Sequence, residues 1–339
     1  MIILTLFPYQ LDLFPELKLA SGTLQRRNGW LVRLQDEHSE GWGEIAPLPG
    51  FSQERAQDIP ERLAQWLENP QQVELPPSAS FGLSAAVNEL LQAELTAPAD
   101  IQCCPLLLKD QLLVDKPFDP QLLQHWTELG EVKLKVGNDP SEDRQKLLQL
   151  LQYFPGKVRL DANQQWTFEQ ALQFAKDLPL QRISFIEEPL QNFSDTERMY
   201  AQLQAFYQKT AMHFALDETV QQSGFKLQML QGLRTLVIKP TLVGSISRCC
   251  SLAEQALQQQ LQVIFSSSFE SSLAVGQIAA MAQHLVPHEL AGLDTLRRFD
   301  CDLLRPWPGS KKRLIDLAEL TETTEQHSFL LEPELLDLL

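Results

Sequence analysis

The sequence predicts an α/β protein built on a barrel of the (β/α) type, and three observations carry that prediction. Val158-Arg159-Leu160-Asp161-Ala162-Asn163 is a short apolar run closed by a carboxylate and an amide, and the same design recurs at 132–137, 183–189, 213–218, 235–240 and 263–268. The residues that close these runs, Lys135, Asp161, Glu187, Asp217, Lys239 and Ser266, stand 26, 26, 30, 22 and 27 positions apart. That is the length of one strand, one helix and two loops, repeated as βαβ units of a parallel sheet. Polar groups always stand at the C-terminal end of the run, the end at which barrels gather catalytic groups from several strands. An open doubly wound sheet would place its ligand at a single switch point, often with a glycine-rich phosphate turn, and no G-x-G-x-x-G follows any of these runs.

Length supports a division into parts. The 339 residues exceed what one layered core usually holds. The expected division is an α+β capping domain over residues 1–100, a barrel over 101–300, and a C-terminal segment, 301–339, packing back toward the cap. Apolar residues make up 44% of the chain, and no apolar run approaches the roughly 20 residues of a membrane span. The N-terminus lacks the basic start and small-residue cleavage site of a signal peptide, so a cytoplasmic enzyme is expected. Five cysteines, with adjacent pairs at 103–104 and 249–250 and no C-x-x-C, read as reduced thiols. Against 28 Lys and Arg stand 44 Asp and Glu, and the net charge of −16 speaks against nucleic acid or an anionic membrane as partner. A small-molecule carboxylate substrate is the expected partner; the oligomeric state is open, and a monomer is compatible with the sequence.

Along the chain, Trp30-Leu31-Val32-Arg33-Leu34 alternates, and Gly41-Trp42-Gly43-Glu44-Ile45 follows a polar turn, which is hairpin or meander material. Two prolines and a glycine make 46–51 a loop, and Ser52 is placed as N-cap of a helix running to about Leu67. A second helix is expected over 81–95, with Leu83, Val87, Leu90, Leu91 and Leu95 on one face and Pro98 as its breaker. The barrel begins near Cys103-Cys104-Pro105-Leu106-Leu107-Leu108. Its eighth strand is expected to end at Gly292-Leu293-Asp294-Thr295.

Asp161, Glu187 and Asp217 close three successive strands and converge in a barrel. Any one of them could serve as a helix cap or an ion-pair partner. Together, with lysines on flanking strands, they read as ligands of Mg²⁺, a hard ion that prefers oxygen. Glu187 is chosen over Glu188 because neighbours in a strand face opposite ways. Lys133 and Lys135, two apart, share a face, and Lys135 and Lys239 would approach a ligand from opposite sides. Neighbouring cations and desolvation bring a lysine toward neutrality, giving a usable fraction of free amine. One divalent ion between facing lysines suits proton abstraction next to a carboxylate, the ion neutralising the enediolate that forms. The six histidines show no zinc spacing.

Lys133-x-Lys135, Asp161-x-Asn163, Glu187-Glu188-Pro189, Asp217-Glu218 and Lys239-Pro240 resemble the enolase superfamily in its muconate-lactonizing-like branch. The fold so implied is a modified (β/α)₇β barrel with an α+β cap. The stretch 41–54, Phe81-Gly82-Leu83-Ser84, the serines of 266–272 and Gly292-Leu293-Asp294-Thr295 are similar to the o-succinylbenzoate synthase family of menaquinone biosynthesis, enteric type. That resemblance implies a carbon–oxygen lyase that dehydrates 2-succinyl-6-hydroxy-2,4-cyclohexadiene-1-carboxylate to 2-succinylbenzoate. It implies Lys135 as the acid–base group and Lys239 as a cation facing the ring, with a cation–π component. It further implies Asp161, Glu187 and Asp217 as Mg²⁺ ligands, with Mn²⁺ able to substitute, and Ser266 and Gly292 as contacts to the succinyl end. Lys133, Arg159 and Asn163 are expected to support them, and the segment 20–27 is read as a lid.

Two other function classes fit the charged motif. A racemase or epimerase of N-acylamino acids or dipeptides would use both lysines as opposed bases. Its dipeptide branch carries Asp-x-Asp near the last strand, whereas here Asp294 stands alone in Gly-Leu-Asp-Thr. A non-catalytic metal-binding module would have no need of both lysines.

Overall fold

Alternation of apolar and polar residues near the N-terminus produces long antiparallel strands. In the computed structural model, which describes residues 1–19, 22–91, 97–98, 100–107, 118–191, 195–323 and 326–339, β1 (Ile2–Leu19) pairs with β2 (Gly22–Gln35), and β2 with β3 (Glu40–Ile45). Two helices follow, α1 (Ile59–Glu68) and α2 (Pro77–Leu90). The inward residues Leu4, Leu6, Val32, Leu34 and Ile45 form one core with Ile59, Leu63, Trp66, Leu83 and Leu90. Close approach of α2 to β3 requires glycine: a Cβ at Gly43 would lie 1.9 Å from the carbonyl oxygen of Gly82.

The helix boundaries differ from expectation for local reasons. Ser52 does not cap α1; its hydroxyl accepts from the Leu48 backbone N–H in the preceding loop (2.9 Å). The helix starts at Ile59, with Pro60 in its first turn, where a missing N–H costs nothing. α2 begins four residues earlier than expected, again at a proline, and Leu91 is 66% exposed, off the buried face. Leu95 and Leu108 lie outside the described residues.

The repeats follow in order: β4 (Leu106–Leu107), α3 (Pro120–Leu129), β5 (Glu131–Lys135), α4 (Pro140–Tyr153), β6 (Lys157–Asp161), α5 (Phe168–Ala175), β7 (Ile183–Glu187), α6 (Thr196–Thr210), β8 (Phe214–Leu216), β9 (Leu233–Ile238), α7 (Pro240–Val243), α8 (Ile246–Gln258) and β10 (Gln262–Phe265). β4 to β10 make one seven-stranded sheet in sequence order, and the pairings recorded from β4 to β9 are parallel. Asp119, Asp139 and Asp195 cap α3, α4 and α6 through their carboxylates, and Thr167 with Gln170 forms a capping box on α5.

Two repeats depart from the pattern. The shortest spacing, from Asp217 to Lys239, has no helix: residues 217–232 are turns and irregular chain, with the sequence Gln221-Gln222-Ser223-Gly224 offering no apolar periodicity. Among the described residues the expected eighth strand is reduced to isolated bridges at Ala291 and Gly292, the latter parallel to Ser266, with α9 (Ser272–Leu285) preceding it in sequence.

After α9 the chain forms a small parallel pair, β11 (Cys301–Leu303) with β12 (Arg313–Ile315), then α10 (Leu317–Thr323) and β13 (His327–Leu331). β13 pairs antiparallel with β1, giving the sheet order β13-β1-β2-β3, and Leu331 joins the core of that sheet. Two compact units result: Met1–Ile101 with Ile238–Ala253 and Phe265–Leu339, and Gln102–Val237 with Glu254–Ile264. Of the segment read as a lid, residues 20 and 21 lie outside the described residues, and 22–27 is the start of β2 in register with β1, a paired strand and not a loop. Among the described residues no helix is long and apolar enough to cross a membrane.

Candidate active site

Strand register assembles the charged residues. Lys135 is the Cα partner of Asp161, Asp161 of Glu187, and Glu187 of Ala215, two positions before Asp217. Side chains two apart on a strand share a face, so Lys135, Asp161, Glu187 and Asp217 lie along one face at the strand ends. A second row lies one step back, where Lys133 is partnered by Arg159 and Arg159 by Phe185.

Within this face the Lys133 ammonium sits between two carboxylates, 2.6 Å from Glu187 Oε2 and 3.0 Å from Asp161 Oδ2. Lys135 Nζ is 4.0 Å from the same Asp161 oxygen. Exposure distinguishes the two lysines: the Lys133 side chain is 16% accessible and that of Lys135 42%. Burial pulls the Lys133 amine toward neutrality, but Asp161, Glu187 and Asp217 overcome it and hold its pKa well above the usual lysine value. Lys133 is therefore a fixed cation, and Lys135 is the amine a ligand can reach. Burial raises the Glu187 carboxyl to about 7 although Lys133 works in the other direction.

Arg159 is buried one row deeper in the sheet. Its guanidinium contacts Glu131 Oε2 (Nε 2.7 Å, Nη2 2.6 Å) and lies over the Phe185 ring, 5.9 Å from its centroid. Ser184 donates to the other Glu131 oxygen. Near this pair, burial pushes the Cys104 thiol up to about 12, so it stays protonated. Asn163 donates from Nδ2 to Glu218 Oε1 at 2.9 Å. Glu188 faces away from Glu187: its Oε1 accepts from the backbone N–H groups of Asp217 (2.8 Å) and Thr219 (2.9 Å). The loop after Lys135 is pinned by buried Asp143, which accepts from Gly137 N and Asn138 N at 2.8 and 2.7 Å.

The remaining expected residues belong to the other compact unit and are described within it. Lys239 is half-buried one residue past β9, and its carbonyl accepts from Leu242 and Val243 in the α7 turn. Ser266 Oγ donates to the Gly292 carbonyl at 3.1 Å, and a Cβ on Gly292 would approach Ser266 Oγ to 2.7 Å, so a side chain there would displace the Ser266 hydroxyl. Ser267 also reaches the Gly292 carbonyl and bonds Thr295 Oγ1 at 2.8 Å. Asp294 pairs with Arg297 at 3.6 Å.

Sequence reading passed over several buried groups. Glu44 takes hydrogen bonds from Tyr9, from the backbone and hydroxyl of Ser271, and from Ala274 N, closing the first turn of α9. Arg27 donates to the carbonyls of Ala46, Pro47 and Phe269 at 2.7–2.8 Å. Glu270 accepts from Thr241 and Ser268 N. Glu131 alone had a signal, standing two residues before Lys133 and hence on its face; the others bond chiefly to backbone atoms distant in sequence.

Among the described residues no three His, Cys, Asp or Glu side chains form a ready metal cage. The Lys133 cation stands where Asp161 and Glu187 approach each other. The donor set itself, carboxylate oxygen on adjacent strand ends, fits a hard divalent cation.

Residues 1–90 match the family model described as MenC, N-terminal domain, and 122–313 the model described as Enolase C-terminal domain-like. The o-succinylbenzoate synthase of Proteus mirabilis (strain HI4320) is 37% identical over 334 residues, covering 95% of this chain and 98% of that protein. The crystal structure of o-succinylbenzoate synthase from Thermosynechococcus elongatus BP-1, complexed with Mg in the active site, is 26% identical with a TM-score of 0.69, covering 94% of this chain and 98% of that one. A dipeptide epimerase from Cytophaga hutchinsonii, complexed with Mg and D-Ala-L-Val, shares the fold at 19% identity and a TM-score of 0.68, covering 89% of each chain. The chain belongs to the o-succinylbenzoate synthase family of the enolase superfamily.

Proposed function

We propose that the chain catalyses the Mg²⁺-dependent dehydration of 2-succinyl-6-hydroxy-2,4-cyclohexadiene-1-carboxylate to 2-succinylbenzoate, a step of menaquinone biosynthesis carried out in the cytoplasm. The observation that carries this reading is the row Lys135, Asp161, Glu187 and Asp217 on one face of adjacent strand ends, in a chain whose relatives along nearly its whole length are o-succinylbenzoate synthases. Catalysis is assigned to residues 101–300, with 1–100 as capping domain and 301–339 contributing its last strand.

Asp161, Glu187 and Asp217 would hold the ion, Mg²⁺ or in its place Mn²⁺. When bound it supplies positive charge to the carboxylate oxygens of the substrate, whose α-carbon then loses its proton more readily. Lys135 takes that proton on Nζ and gives it to the departing hydroxyl. One C–H and one C–O bond break, water leaves, and the ring becomes aromatic. Lys133, fixed as a cation between Asp161 and Glu187, orients both carboxylates and keeps a positive charge beside Lys135. Lys239 is assigned, by resemblance to the family, as a cation that stabilises negative charge spread over the ring. Ser266 and Gly292 bind the succinyl end; Arg159 and Asn163 act behind this set through Glu131 and Glu218. A synthase 37% identical along 95% of this chain favours the dehydratase over the dipeptide epimerase.

Purified protein given Mg²⁺ and the cyclohexadiene substrate should form aromatic product, followed by ultraviolet absorbance, and chelator should stop it. Full turnover in chelator would refute the metal assignment, and no turnover with saturating Mg²⁺ would refute the reaction.

A further inference from the structure

Glu188 takes no part in the chemistry above, yet its carboxylate ties together three loops. It is 1% exposed. One oxygen accepts from Asp217 N and Thr219 N, in the loop after β8. The other accepts from Gln164 Nε2 in the loop after β6, and Gln164 N donates to the Glu188 carbonyl at 2.9 Å. Glu188 N in turn donates to the Ala215 carbonyl at 3.2 Å. The backbone here is unusual: Asn163, Gln164 and Glu188 have φ of 44°, 55° and 22°, in the left-handed region that side chains other than glycine rarely adopt. Such conformations persist where surrounding bonds over-determine them, and they collect at functional sites.

We propose that Glu188 is a positioning residue, which fixes Asp217 relative to Asp161 and Glu187 and so sets the affinity of the site for a divalent cation. The inference rests on the reading that these three carboxylates hold Mg²⁺. Its physical basis is reach: the glutamate carboxylate spans from the backbone next to Glu187 to the N–H groups of Asp217 and Thr219, on either side of the Asp217 side chain. A shorter side chain cannot bond both those N–H groups and Gln164. A neutral one of equal length can, because a glutamine carbonyl replaces Oε1 and Gln164 can turn its amide to accept from the new NH₂ group.

A group that merely satisfied a buried niche would change stability and leave metal affinity alone. The test is isothermal titration calorimetry with Mg²⁺ alone on the full chain, at a temperature where circular dichroism shows each variant folded. Glu188→Asp should bind Mg²⁺ about 10- to 100-fold more weakly, the usual cost of losing a group that orients a ligand, and Glu188→Gln should stay within about 3-fold of wild type because it keeps the acceptor. Wild-type affinity in Glu188→Asp, or a loss in Glu188→Gln as large as in Glu188→Asp, overturns the inference. Absence of Mg²⁺ binding by wild type overturns the reading beneath it as well. Wild type supplies a check independent of any variant: without metal, the Asp217 and Thr219 amides should resist hydrogen exchange, and exchange at the rate of exposed loop amides contradicts the proposal.

Discussion

The parallel sheet has two different floors beneath its strand ends. From β7 to β10 the residues two positions before Glu187, Asp217, Lys239 and Ser266 are Phe185, Ala215, Val237 and Ile264, which pack into one apolar cluster. On β5 and β6 the residues two positions before Lys135 and Asp161 are Lys133 and Arg159, held by Glu187, Asp161 and Glu131. The two floors meet where Arg159 lies over the Phe185 ring. Apolar packing contributes through area and shape and places little demand on direction. Buried charges contribute only when each is paired in good geometry. The apolar floor therefore supports its strand ends passively, whereas the charged floor dictates where the carboxylates and lysines above it point.

Breaking the charged floor should have the largest effect. Glu131→Ala removes the acceptor shared by Arg159 and Ser184 and should cost about 3–5 kcal/mol of stability, measured by denaturant unfolding, with a loss of turnover at temperatures where the variant is folded. Next comes pH. The Glu187 carboxyl, raised by burial from 4.5 to about 7, binds its proton more tightly in the folded chain than in the unfolded one. Its contribution to stability is full below about pH 4.5 and is lost as pH rises through about 7, an effect on the order of 3 kcal/mol. Metal-free wild type minus Glu187→Gln should show that trend in melting temperature, and an opposite slope would contradict the placement of Glu187.

The apolar floor should respond more mildly and without altering chemistry. Val237→Thr keeps the shape but buries a hydroxyl among Phe185, Ala215 and Ile264, costing about 1–3 kcal/mol. Ile264→Val should cost about 0.5–1.5 kcal/mol, with kcat unchanged in both. A kcat loss in Ile264→Val as large as that in Glu131→Ala would erase the distinction between the floors. Smallest of all, the exposed Arg26–Asp12 pair (side chains 57% and 69% accessible) should yield about 0–1 kcal/mol in a double-mutant cycle.

What could be read from the sequence follows the same divide. Strand ends were legible because each repeat closes on a polar residue, and period-two alternation separates Glu187 from Glu188 and joins Lys133 to Lys135. Partners made by backbone atoms were not legible: nothing in the sequence marks Glu188 as the acceptor for Asp217 N and Thr219 N, or Glu44 for Ser271 and Ala274. Ser52 shows the limit of cap signals, since its hydroxyl serves the Leu48 turn and Pro60 marks the helix start instead. The missing helix between β8 and β9 was foreshadowed by the shortest spacing, 22 residues, though turn chemistry at Ser223-Gly224 decides it. Pairing of β13 with β1 joins residues some three hundred positions apart, which no local pattern reports.

Turnover of the cyclohexadiene substrate by Lys135→Arg and Lys239→Arg at saturating Mg²⁺ measures directly whether the two lysines play unequal parts. Arginine keeps the charge but, with a pKa above about 12, supplies no free base. Lys239→Arg should retain more dehydration activity than Lys135→Arg. Equal and complete loss in both, together with exchange of the α-proton of an N-acylamino acid by wild type, would contradict the assignment and make the two lysines the opposed bases of a racemase.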